Sequence, residues 1–183
     1  MTQDNKQKNL RDRGLELAAW LAGFALSTFI IPGIIIFFLL PDKVPEGFAV
    51  LAAIPFIEYL AISVGIGLGI HPVISFLLTV LPCTGIAMLM IGLLGFFSDS
   101  SPRAIKYLGK VKKWTEKYPK LKKYGIYSNF VFIMFFGAFI TPGISIILGW
   151  SRSRSVAIMA AGICIITSLI GLGTLGIIAL FFV

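Results

Sequence analysis

One glutamate, Glu58, lies in the middle of a run from Gly47 to Ile70 that holds no other charge. A carboxylate at such depth in lipid costs several kcal/mol, so it must face protein or water and have a partner or a proton. It can carry a proton, or it can accept a hydrogen bond from a helix end opened near Pro55. The cations nearest to apolar sequence are Arg152 and Arg154, which separate two uncharged runs. A guanidinium matches phosphate oxygens with its planar fork, so these arginines fit an anionic head group. They also fit a plain anchor at a cytoplasmic membrane face. Glu58, Arg152 and Arg154 are the candidate substrate and proton residues.

Other chemistry is poorly represented. Cys83 and Cys164 are the sole cysteines, and His71 is the sole histidine. Two thiols inside apolar runs and one imidazole give no ligand spacing for a metal, so no metal or cofactor is expected. There is no Ser/His/Asp set, no pair of intramembrane carboxylates, no phosphate-cradling loop and no metalloprotease helix. The sequence therefore predicts neither an enzyme nor an ATP-driven pump.

The elements that would position Glu58 follow from composition. Of 183 residues, 57% are hydrophobic and 13% are charged, with a mean hydropathy of +0.94. Soluble domains carry about 25% charged residues. A chain of this size has too little interior to hide so much apolar surface from water. A soluble enzyme, a secreted disulfide scaffold and a disordered regulator are all excluded. The class that remains is an all-α integral membrane protein.

Five apolar segments run from Leu17 to Leu40, Gly47 to Ile70, Pro72 to Ser98, Tyr124 to Ser151 and Ser155 to Val183. Each exceeds the ~20 residues needed to cross a ~30 Å hydrocarbon core. The polar head from Met1 to Gly14 is too long and mixed for a signal n-region, so the first segment reads as a retained helix. Cytoplasmic loops should collect Lys and Arg. Five full crossings divide these residues 6 to 10 between the two sides. If the second and fourth segments instead enter and return on one side, the division becomes 15 to 1, with Lys43 alone outside.

The expected fold is thus three transmembrane helices (15–40, 72–98 and 155–183) with two opposed re-entrant helical hairpins (48–70 and 125–150). A cytoplasmic tail, 1–14, precedes this single membrane domain, 15–183. A broken helix at membrane depth needs helix-breaking residues and protein or water around it. Pro55 in one segment and Thr141, Pro142 and Gly143 in the other are the expected hairpin tips, Gly143 allowing close backbone approach. A shift of 84 residues, pairing Gly65 with Gly149 and Ile86 with Ile170, points to an inverted repeat. A rival echo pairs the Pro32-Gly33 region with Pro142-Gly143.

The basic stretch 101–123 reads as a cytoplasmic interfacial helix. Ile105, Leu108, Val111 and Trp114 recur at helical spacing, while Lys106, Lys110, Lys113 and Lys117 mark another face. Lys106, Lys110, Lys113, Trp114 and Lys117 are the expected contacts to anionic lipid. No aromatic platform accompanies the charges, so nucleic acid is not an expected partner. Membrane lipids and their anionic head groups are the expected partners, and a homo-oligomer is left open.

From Pro55 to about Ile163 the chain resembles the small multidrug-export family of membrane proteins, distantly DedA/VTT-like in layout. Phe56-Ile57-Glu58-Tyr59-Leu60-Ala61-Ile62-Ser63-Val64-Gly65 resembles that family's Glu-x-Arg-Gly-Ala-Ile-Pro-x-Gly segment. Lys123-Tyr124-Gly125, with Pro142-Gly143 and Gly149, resembles its Lys-Tyr-Gly and Pro-Gly-x-Gly-Ala-x-x-Gly pattern. Leu60 stands in place of arginine, Ala61 of glycine, Val64 of proline and Ser145 of the later motif's second glycine. The resemblance carries over Glu58, Pro142, Gly143 and Gly149, but no arginine partner in the first hairpin. It implies a membrane transporter, and the DedA-like layout implies translocation of a lipid-linked phosphate carrier. The expected function is therefore a secondary transporter or lipid translocase for an anionic amphiphile, proton-coupled through Glu58. The alternatives are a non-transporting structural or assembly protein and a small-drug exporter. The expected location is the cell membrane, multi-pass, with the N-terminus cytoplasmic.

Overall fold

The computed structural model describes the backbone of residues 3–100 and 125–182 and the side chains of 14–98 and 125–180. The proposed lipid contacts Lys106, Lys110, Lys113, Trp114 and Lys117 lie outside the described residues. All described regular structure is helical. Helix α1 (Gln3–Ala25) runs through a wide π-turn, Leu26–Ile30, into α2 (Ile31–Leu39). Pro32 lacks an N–H and its ring crowds the preceding turn, which a widened turn accommodates. A tight turn at Pro41–Lys43 leads to α3 (Val44–Ile57), and a second at Glu58–Leu60 leads to α4 (Ala61–Gly67). Then come α5 (Pro72–Ser100), α6 (Ser128–Ile147) and α7 (Arg152–Phe182).

Five stretches are long and apolar enough to cross a membrane: Gly14–Leu39, Pro41–Gly67, Pro72–Ser98, Gly125–Ile147 and Arg152–Leu180. Their outer faces are apolar too. Phe38, Phe56, Phe135 and Leu180 are each at least 80% exposed. In water each such side chain would forgo about 1.5–3 kcal/mol of burial, whereas lipid removes that cost. These features make the chain a multi-pass membrane protein by composition.

Helix α5 occupies the centre and packs against α1, α2, α3, α4, α6 and α7. Helix α1 runs antiparallel to it, with Gly92 against Trp20, Gly23 against Met88, and Gly85 against Ser27 and Thr28. Small residues at such crossings let backbones approach where lipid offers no hydrophobic drive. The core beneath them is built on Ile36, Val50, Ile54, Leu78, Ile91, Ile133, Met159 and Ile163.

Two of the apolar stretches reverse direction inside themselves. Lys43 Nζ donates to the Gly69 carbonyl at 2.5 Å across 26 residues, so both ends of the second stretch lie together. Within it, Gly65 of α4 lies against Val50 of α3 and Ser75 of α5. In the fourth stretch Ser145 Oγ donates to Asn129 Oδ1 at 2.8 Å across 16 residues. A straight helix would separate those residues by about 24 Å at 1.5 Å per residue. Gly137 (φ 72°, ψ −179°) breaks α6 into two halves that run back alongside each other.

The breaks do not fall where the prolines predicted. Pro55 lies inside the last turns of α3, and the chain turns three residues later at Glu58. Thr141, Pro142 and Gly143 are helical and belong to the second half of α6. Pro142 sits near that half's start, where a missing N–H removes at most one helical bond. Gly143 makes no close approach: a Cβ there would meet only Leu94 at 3.7 Å.

Both reversing stretches leave by the same turn. Leu68, Gly69 and Ile70 donate to the carbonyls of Val64, Ile66 and Gly65, and Leu148, Gly149 and Trp150 donate to those of Ile144, Ile146 and Ser145. Gly69 (φ 75°) and Gly149 (φ 69°) supply the left-handed residue each time. The recurrence is at 80 residues, so the 84-residue register expected from sequence slips by one helical turn.

Candidate functional site: two helix breaks that meet at Glu58

The two breaks face each other. Ala138 N–H donates to Glu58 Oε2 at 3.0 Å, and the Glu58 carboxylate occupies the space that a Cβ on Gly137 would need. Ala138 opens the second half of α6, whose first-turn N–H groups have no helical acceptor. A carboxylate there satisfies one orphan donor and meets the positive end of the helix dipole. The next residue serves the other side of the same break. Tyr59 is buried, and its hydroxyl donates to the Ile133 carbonyl at 2.7 Å, in the last turn of α6's first half. Consecutive residues of one break thus tie both ends of the other.

Glu58 sits in a strained conformation, φ 44° and ψ −110°, and is the one positive-φ residue other than glycine among the described residues. Such backbone costs of order 1–3 kcal/mol and persists only where surrounding structure enforces it. Glycine would make the reversal more cheaply, but it has no side chain to meet the Ala138 N–H. Glutamate supplies that acceptor and adds ionisability.

The break lies well inside the bundle from the turn at Gly149. From Ala138 to Ile147 the second half of α6 advances about 14 Å. Arg152 begins α7 beyond that point and lies apart from Glu58. Its Nη1 donates to Glu16 Oε1 at 2.7 Å, and its guanidinium rests on Gly95 near the end of α5. Arg154 is exposed. The structure therefore brings Glu58 to Gly137 and Ala138, while Arg152 joins α1, α5 and α7 at one end of the bundle. An ion pair at this degree of exposure contributes about 0–1 kcal/mol. His71 is also accounted for locally, its Nδ1 accepting from Val73 N–H at 3.3 Å at the start of α5.

A second polar group sits inside the α6 reversal. Asn129, Thr141 and Ser145 are almost completely buried, and Ser145 Oγ lies between Asn129 Oδ1 (2.8 Å) and the Thr141 carbonyl (3.2 Å). Neither Asn129 nor Gly137 stood out in the sequence reading. Asn129 offered a signal, as the only carboxamide in the uncharged run from Tyr124 to Ser151. Gly137 offered none, being one of 19 glycines in apolar surroundings.

Comparison with protein-family models, curated proteins and solved structures finds no match.

Proposed function

We propose that this chain is a secondary transporter or lipid translocase of the cell membrane, proton-coupled, with its N-terminus in the cytoplasm. Stretches 41–70 and 125–151 are its two re-entrant hairpins, related as an inverted repeat, and α1–α2, α5 and α7 are its three crossings. The observation carrying this reading is the meeting of both breaks on one protonatable side chain, Glu58 against Ala138 N–H. Half-helix ends that meet near mid-membrane are suited to anionic groups, and alternating exposure needs an element with two arrangements there. The carboxylate–amide contact is such an element: protonation weakens the carboxylate as an acceptor and loosens the two tips. The substrate class is an anionic amphiphile such as a lipid-linked phosphate, its head group met by Arg152 at the bundle end.

A second reading is favoured by the same hydrogen bond. Glu58 and Tyr59 tie the ends of a broken helix, which a non-transporting scaffold would also require. Glutamine separates the two readings, since it keeps size and hydrogen-bonding capacity but cannot ionise. In proteoliposomes carrying a short-chain polyprenyl phosphate, Glu58→Gln is expected to stay folded and to lose pH-dependent flux. Full, pH-responsive flux in Glu58→Gln contradicts proton coupling, and absence of flux in the unaltered protein favours the scaffold.

A further inference from the structure

We infer that the α6 reversal holds a water-binding site formed by Asn129, Thr141 and Ser145, on the Arg152 side of Glu58. The observation is an imbalance of donors and acceptors. Asn129 Nδ2 and Thr141 Oγ1 are buried and have no hydrogen-bond partner among the described residues. Asn129 Oδ1 is already used by Ser145 Oγ, which also lies 3.2 Å from the Thr141 carbonyl. An amide NH₂ group carries two donors and a threonine hydroxyl one donor and two lone pairs. Lipid can satisfy none of these, and stranded polar groups in an apolar interior are costly.

One water can serve all three side chains. It accepts from Asn129 Nδ2, exchanges a hydrogen bond with Thr141 Oγ1, and donates to a lone pair of Ser145 Oγ. Three polar partners are what buried waters ordinarily have. The other reversal is closed differently at the equivalent turn. At the corresponding place it packs Gly65 against Val50 and Ser75, and Ser75 Oγ lies 3.5 Å from the Ile70 carbonyl.

The site also has a direction. Ala138, Thr141 and Ser145 follow one another at three- and four-residue spacing, which places them along one face of the helix. Ala138 holds Glu58, and Ser145 lies toward the end from which Arg152 follows. A proton route from Glu58 along this face passes this water. That route rests on the proton-carrying reading of Glu58, whereas the water site does not.

The test is water-edited solid-state NMR on the full chain in bilayers, labelled with ¹⁵N at asparagine. Only Asn5, Asn9 and Asn129 report, and Asn129→Leu assigns the buried signal. Rapid magnetisation transfer from water to the Asn129 side-chain amide is expected, with that transfer reduced in Thr141→Val. A dry Asn129 amide in the unaltered protein overturns the inference, whatever the flux. A hydrated amide in a protein without proton-linked flux upholds the water site and removes only the role of Glu58. Thermal unfolding adds an independent sign. A water-bound Thr141 predicts that Thr141→Val lowers the melting temperature by about 2–4 °C, the shift expected for loss of roughly one hydrogen bond. A rise would mean a dry, stranded hydroxyl and would contradict the site.

Discussion

The segment that turns at Glu58 and the segment that turns at Gly137 close with identical hydrogen bonds, yet their tips are chemically opposite. One tip spends strain to hold a carboxylate at positive φ, and the other is glycine with no side chain at all. They are complementary because each lacks what the other supplies. The α6 break exposes an N–H at Ala138 and a last-turn carbonyl at Ile133, and Glu58 and Tyr59 provide the acceptor and donor. Their interiors differ in the same sense. The first is sealed by Gly65 on Val50, whereas the second encloses Asn129, Thr141 and Ser145. A shared backbone turn thus fixes the layout, and the side chains set the two segments apart: the first carries a carboxylate at its tip, and the second encloses neutral polar groups.

The largest effect is expected from giving the second tip a side chain. Gly137→Leu forces a residue into a φ/ψ region almost exclusive to glycine and pushes its Cβ into the Glu58 carboxylate. Strain of order 1–3 kcal/mol adds to loss of a charged hydrogen bond of about 1.5–3 kcal/mol. Folded yield after detergent extraction should collapse. Gly143→Leu, at a helical position with room for a Cβ, should yield folded protein. Equal tolerance of both variants would mean that the tips do not meet.

That contrast also shows how far the sequence could be read. The five apolar stretches and the singular Glu58 were legible, because length, hydropathy and an isolated charge are local properties. Re-entry from one face is a proposal drawn from charge asymmetry, but breaks within the second and fourth segments were legible. Their positions were not, because proline was weighted as the breaker. Pro55 and Pro142 are tolerated close to helix ends, whereas the turns use positive φ at Glu58 and Gly137. No local signal marks a glycine in Phe136-Gly137-Ala138 as the place where another segment's carboxylate will sit. The partner of Glu58 proved to be a backbone N–H, which no residue type announces. The 84-residue register failed for a related reason: it matched residue identities, while the recurrence is a backbone turn that glycine marks at Gly69 and Gly149.

A smaller effect is expected at the neighbour of Glu58. Tyr59→Phe removes the 2.7 Å bond to the Ile133 carbonyl while keeping the ring in place. A loss of about 1 kcal/mol is expected, larger if the carbonyl stays buried and unpaired. Chemical denaturation in a fixed detergent would read it. An unchanged midpoint would remove Tyr59 from the tie between the segments and leave Glu58 alone in that role.

The central claim, that the stretch 41–70 enters and leaves by one face, is tested most directly by sided cysteine labelling. Asp42, His71 and Ser153 are exposed, and native Cys83 is buried. With Cys164 replaced by alanine, single cysteines at these three positions can be probed in intact cells and inverted vesicles with a membrane-impermeant maleimide. The account predicts that Asp42→Cys and His71→Cys label from one side and Ser153→Cys from the other. Labelling of Asp42→Cys and His71→Cys from opposite sides would contradict it.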